Sequence, residues 1–365
     1  MAALENWPEG GIPHQPAAWL LRVAQRKLID SWRRERRSGA LNESNCEPDA
    51  VMQDADIPDE RLALVFTCCH PALADGARTA LTLQAVAGLS VTEIARAFLL
   101  REATVAQRLV RAKRKIQGAG IPFRVPGPEL WPERIGGVLE VLYLVFNEGH
   151  SATAGAAPVR GDLCEEALRL VRLVLELLPQ EAEAEGLLAL MLASHGRAGG
   201  RTAPDGSLIT LEHQDRSLWD SQAQVEAERV LDRAQRRRQP GPYQIQAAIS
   251  ALHGAAGSWQ ATDWAQITLL YKRLYSMLPT PVVRLNAIVA ESMLHGPELG
   301  LRRLAVLDAS GSLERYQPFH ATRADLHRRA GQLAEAAAAY GRALELTDNE
   351  AQRAYLEARL LEVLA

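Results

Sequence analysis

The chain has 365 residues, is 47% hydrophobic, and is close to neutral, with 41 Lys and Arg against 44 Asp and Glu. That length predicts two or three domains with full cores. No apolar run approaches the ~20 residues needed to span a bilayer and no signal-peptide pattern opens the chain, so a cytoplasmic protein with no membrane partner is expected.

Near-neutrality hides two cationic segments. The first lies in a helix expected over 16–37, preceded by the Pro/Gly-rich loop 8–16. Leu21, Ala24, Leu28 and Trp32 follow one stripe of this helix, and Arg22, Arg26, Arg33 and Arg37 another. Between Arg22 and Arg37 seven basic residues face only Asp30 and Glu35. Residues 38–58 are polar, acidic and without apolar periodicity, which predicts a flexible linker.

A second helical unit is expected over 59–117. Within it, 89–116 has the pattern of a helix-turn-helix. Ser90 and Glu93 have capping-box spacing, so a helix should start at Val91 and bury Ile94, Ala95 and Phe98; Leu99 to Arg101 then form a short turn. On the next helix Val105, Leu109, Ala112 and Ile116 fall on one line, and Thr104, Arg108, Arg111 and Lys115 on a parallel line roughly a quarter-turn away. Arg101, Gln107 and Arg114 widen the polar surface with groups that reach phosphates or base edges. From Arg101 to Lys115 six basic residues face only Glu102. The alternative is a solvated basic face on an ordinary bundle helix. A capped helix, a short turn and a one-sided basic helix together favour a polyanion partner, bound at two defined places on an otherwise acidic protein.

Four cysteines, Cys46, Cys68, Cys69 and Cys164, make no disulfide framework in a chain of this size. Cys68-Cys69-His70 invites a zinc reading, but adjacent ligands diverge on a helix and no second Cys/His pair stands at ligand spacing. Buried helix residues are the expectation, with no metal and no other cofactor.

From about residue 132 helical patterns alternate with short breaks, most clearly over 162–178, 183–195, 222–236, 264–278 and 281–294. In the last pair, 319–330 and 333–346, Ala324, Gly331, Ala334, Tyr340 and Ala343 stand near the positions of a tetratricopeptide repeat, whose period is about 34 residues; earlier units are degenerate. Such repeats stack into a curved surface that holds a peptide or protein. Three polar groups, Asn147 to His150, His213 to Arg216 and Thr262 to Trp264, contain residue types used in acid–base chemistry. Asp263 and Asp215 are more simply N-caps, and Trp219, Trp259 and Trp264 packing residues, so no catalytic residue is expected.

The stretch PHQPAAWLLRVAQRKLIDSWRRERR resembles the end of domain 2 of extracytoplasmic-function sigma factors, and DERLALVFTCCHPAL with LSVTEIARAFLLREATVAQRLVRAKRKI resembles their domain 4. FTCCHPAL, EIARAFL and IPFRVP, and later VLYLVFNEGHSA, LLALMLASHGR, HQDRSLWD, GPYQIQAAI and TDWAQI, are similar to the subgroup with a long helical, TPR-like C-terminal extension, over essentially the whole chain.

The resemblance implies an all-α protein with the end of domain 2 at 1–37, a linker at 38–58, domain 4 at 59–117 and a TPR-like regulatory extension at 118–365. It implies no enzyme but a transcription initiation factor, whose partners are promoter DNA, the β and β′ subunits of RNA polymerase core, and a protein or peptide on the repeats. Arg101, Thr104, Gln107, Arg108, Arg111 and Lys115 would read the −35 element in the major groove. Trp19, Arg22, Arg26, Asp30, Arg33 and Arg34, with the loop 8–16, would face the −10 element, where an unstacked base enters a pocket. Set against the resemblance, the chain begins midway through domain 2, so weak polymerase docking is expected. The alternative from another class is a TPR-type scaffold or sensor with a vestigial DNA-binding part; an enzyme housed in the extension is weaker still.

Overall fold

The capping box expected at residue 90 closes from both sides. Ser90 Oγ accepts from the Glu93 amide at 3.2 Å, and Glu93 Oε2 accepts from the Ser90 amide at 2.7 Å. The computed structural model describes residues 64–365, except 67, 71, 87, 98, 99, 120–126, 152, 153, 156–159 and 205. The readings made on 1–63, including every residue assigned to the −10 element, and on Phe98 lie outside the described residues.

After a helical stretch at 64–68, of which residue 67 is not described, the first part has α1 (Asp75–Val86), α2 (Val91–Ala97) and α3 (Glu102–Gly118) among the described residues. The apolar line of α3 faces inward, with Val105, Leu109 and Ala112 buried and Ile116 half-buried against the same core, beside Ile94 and Ala95 of α2. Cys68 and Cys69 are buried with them, and burial pushes their thiols up to about 11 and about 12.

The rest is a succession of helices, each against its chain neighbours: α4 (Trp131–His150), α5 (Gly161–Leu177), α6 (Ala182–His195), α7 (Ser221–Arg236), α8 (Pro242–Ala255), α9 (Trp264–Met277), α10 (Pro281–His295), α11 (Pro297–Asp308), α12 (Gln317–Arg329), α13 (Leu333–Glu345) and α14 (Glu350–Leu364). Side chains start many of them. Asp220, Asp263, Thr280 and Asn349 accept from the first-turn amides of α7, α9, α10 and α14, and Asp215 does so for the short 3-10 turn Arg216–Leu218. Helix α8 has no local cap. Instead Glu183, on α6, accepts from the backbone amides of Tyr243 and Gln244 at 2.9 and 3.3 Å, and a side chain at Gly241 would run into that carboxylate. Gly331, between α12 and α13, has φ +74°, which glycine adopts without strain.

The class is all-α. The described residues add a two-residue parallel pairing, β1 (Ala154–Gly155) with β2 (Asp348–Asn349), which ties the segment after α4 to the start of α14, and an isolated antiparallel bridge between Thr202 and Leu208. One core runs unbroken from Val65 to Ala247, across the boundary expected at 117/118. Smaller cores follow in chain order, centred on Ile267, on Phe319 and on Tyr340. No helix among the described residues is long and apolar enough to cross a membrane.

Candidate nucleic-acid interface

Helix α3 turns its apolar line onto α1 and α2, which leaves the next line outward. Arg101, Gln107, Arg111 and Lys115 are exposed, as is Arg114; Thr104 and Arg108 are half-buried. Thr104 and Arg108 thus depart from the expected solvent-facing line. A Cβ at Gly76 would meet Arg108 Nη1 at 2.8 Å, so this guanidinium lies over the first turn of α1. Arg108, Arg111 and Lys115 share a cleft of about 480 Å³ with that turn. Three cations beside the amides that open a helix form a surface that takes anionic oxygens, as phosphates present them.

The helix-turn-helix is held on α4 and the segment before α5. Phe66 stacks obliquely on Trp131, with ring centroids 6.0 Å apart, and Arg134 Nη1 donates to the Phe66 carbonyl at 3.4 Å. Arg160 pairs with Glu93 at 3.4 Å. The contacts involve none of the cations of α3, and Arg101, Arg111, Arg114 and Lys115 stay exposed.

Members of all three polar groups come to the surroundings of His253 and Arg197: Arg216 donates to the His253 carbonyl, Trp264 meets the His253 ring, and His150 meets Arg201 beside Arg197. Asp215 and Asp263 act as caps. Trp259 and Trp264 meet edge to face at 4.7 Å, and His253 completes the cluster, parallel to Trp259 and edge-on to Trp264, while Trp219 lies under Arg216 at 4.6 Å. Glu148 is buried, and His150 stacks on Phe146 and meets Arg201. Burial, with Arg201 and Arg197 beyond it, holds the His150 ring neutral well below the usual imidazole range. No group of three His, Cys, Asp or Glu residues suited to a metal ion occurs among the described residues.

Sequence reasoning missed a cavity of about 790 Å³ lined by residues of α4, α6, α8, α9 and α10. Tyr143, Tyr243 and Tyr271 stand in its wall with Arg197 and His253. No local pattern signals it, because its lining comes from helices spread over about half the chain.

Packed helices with a capped helix-turn-helix and an outward cationic helix have the form of a helix-turn-helix nucleic-acid-binding unit. Residues 63–116 match the family model of sigma-70, region 4, and residues 134–235 match a family of unknown function, DUF6596. A protein of Rhizobium meliloti (strain 1021), named only as uncharacterized, is 44% identical over 373 residues, which cover 98% of this chain and 86% of that protein. The chain belongs to the family of that protein, with a sigma-70 region 4 and a sigma-factor-like DNA-binding role. No solved structure matches.

Proposed function

We propose that the protein is a transcription initiation factor of the extracytoplasmic-function sigma type, acting in the cytoplasm and regulated by its helical, TPR-like C-terminal part. Its domains are those read from the sequence: the end of domain 2 at 1–37, the linker, domain 4 at 59–117 and the extension. It performs no covalent chemistry. RNA polymerase core supplies catalysis through its β and β′ subunits, and the factor selects the promoter. Helix α3 lies in the major groove of the −35 element, with Arg101, Thr104, Gln107, Arg111 and Lys115 toward bases and phosphates. Arg108, turned over α1, takes a backbone phosphate in the shared cleft. Trp19, Arg22, Arg26, Asp30, Arg33 and Arg34 serve the −10 element.

The observation that carries this reading is the outward cationic face of α3 within a segment that matches region 4. Footprinting with core polymerase on genomic promoter fragments tests it. Protection centred near −35 is expected, and a protein that adds no protection to core polymerase on any fragment overturns it.

The second reading, a scaffold or sensor with a vestigial DNA-binding part, is favoured by the large cavity in the extension. It predicts that the intact protein binds its ligand or partner but gives no promoter protection.

A further inference from the structure

The cavity between α4, α6, α8, α9 and α10 contains an electrostatic oddity. Arg197 donates from Nη2 to Ser250 Oγ at 3.1 Å, while its Nη1 is buried with no hydrogen-bond partner. No carboxylate of the described residues pairs with it; the charges that act on it are two more arginines, Arg201 and Arg216. Arg201 meets His150, and Arg216 donates to the carbonyls of His253 and Ala256 at 2.6 and 2.8 Å, so neither brings a counter-charge. Glu185, by contrast, 3% exposed, has Arg237 at 2.6 Å and Arg233 at 3.5 Å. Arg197 as a whole is half-buried and lies 5.9 Å from the Trp219 ring, but a guanidinium N–H buried with no acceptor is costly and leaves a donor open to a ligand.

The wall around Arg197 indicates what would complete it. Ser250 and His253 stand beside it, and the rest of the lining is largely apolar and aromatic, with Leu190, Ile249, Leu274 and Tyr271 among them; Glu140 also lines it, and burial raises its pKa toward the neutral acid. At about 790 Å³ the space is that of a small-molecule site. One guanidinium fork with one hydroxyl matches the two oxygens of a carboxylate, and a single cation in the lining suits one negative charge better than two. The apolar remainder requires a ligand with a hydrocarbon or aromatic body.

We propose that this cavity binds a small amphipathic carboxylic acid, its carboxylate on Arg197 and Ser250 and its apolar body among the tyrosines and aliphatic side chains of α6, α8 and α9. Helix α4 links this site to the helix-turn-helix, since Tyr143 lines the cavity while Trp131 and Arg134, on the same helix, hold Phe66. The site goes beyond promoter reading and stands independently of it, because binding is measured on the full chain without DNA or polymerase.

The experiment is calorimetry and thermal melting of the full chain with acetate, hexanoate, decanoate and 4-phenylbutyrate, each against its primary amide, and with inorganic phosphate. Affinity should rise with the apolar body and vanish in the amides. Arg197→Gln should weaken decanoate and phenylbutyrate by about 10- to 100-fold while leaving the melting temperature of the unliganded protein close to that of the parent, since the buried N–H without an acceptor is removed along with the Ser250 contact. Asn286→Trp, at an exposed position of the lining, should block the cavity and abolish binding without loss of fold. Three results each overturn the proposal: no binding of any carboxylate at low millimolar concentration, equal binding of acids and amides, or a destabilised Arg197→Gln whose affinity is unchanged. Binding of phosphate in place of the acids also overturns it.

Discussion

Glu93 and Arg160 join the helix-turn-helix to the extension through one carboxylate: Oε2 caps α2 at the Ser90 amide, while Oε1 meets Arg160 Nη1 at 3.4 Å. The same side chain sets a local helix start and a tertiary contact 67 residues away. The two roles separate by mutation. Arg160→Ala removes only a partly exposed ion pair, worth roughly 0.2–1 kcal/mol. Glu93→Ala also opens the capping box and should cost about 1–2 kcal/mol. Urea denaturation of the two variants checks the order; equal losses would mean that the cap contributes nothing.

The two lines of α3 make opposite predictions. Arg111 is exposed, so Arg111→Ala should weaken promoter binding by roughly 1–3 kcal/mol if it reads a base, with little change in stability. Leu109 is 3% exposed, so Leu109→Ala should cost about 2–5 kcal/mol of stability. Fluorescence anisotropy on promoter DNA at several salt concentrations, together with melting curves, distinguishes them. Undiminished promoter binding by Arg111→Ala at moderate salt would remove α3 from its assigned role.

What was legible in the sequence was local. The Ser90–Glu93 cap, the buried line of α3, the Asp215 and Asp263 caps and the limits of helices such as α6 and α10 depend on residues within a turn or two of each other. Arg108 escaped because the missing side chain at Gly76, on another helix, gives its guanidinium somewhere to lie. The start of α8 shows no capping residue because its cap, Glu183, comes from α6. Arg197, Ser250 and Tyr271 become neighbours in one wall only through the stacking of successive helices. Charge and apolar patterning also mark a change near residue 117 without revealing that the core passes straight through it.

That continuous core makes a prediction about cooperativity. Trp131 is 6% exposed and its ring lies against Phe66, which is fully buried. Trp131→Ala should therefore cost about 3–5 kcal/mol and uncouple the helix-turn-helix from α4. In the parent protein, near-ultraviolet and far-ultraviolet transitions should coincide through the segment from α1 to α8; in the variant an earlier transition should separate. Two separate transitions already present in the parent would show that the docking contributes little.

His253 supplies the pH dependence. Burial first, then the charges of Arg197 and Arg216, lower its pKa to about 4, against about 6.5 for an unperturbed imidazole. Between those values the unfolded chain takes up a proton that the folded chain refuses, so stability rises with pH through the window. It is fully present above about pH 6.5 and is lost progressively as pH falls toward 4. The ring stacks on Trp259 and meets Trp264 edge-on, and a phenyl ring preserves both contacts without titrating. From pH 7 to pH 5 the parent should lose on the order of 2 kcal/mol more stability than His253→Phe. His150, held neutral in the same direction, titrates alike in both proteins and cancels from the comparison. Urea denaturation of both at the two pH values measures the difference; parallel losses would place the acid sensitivity in groups other than His253.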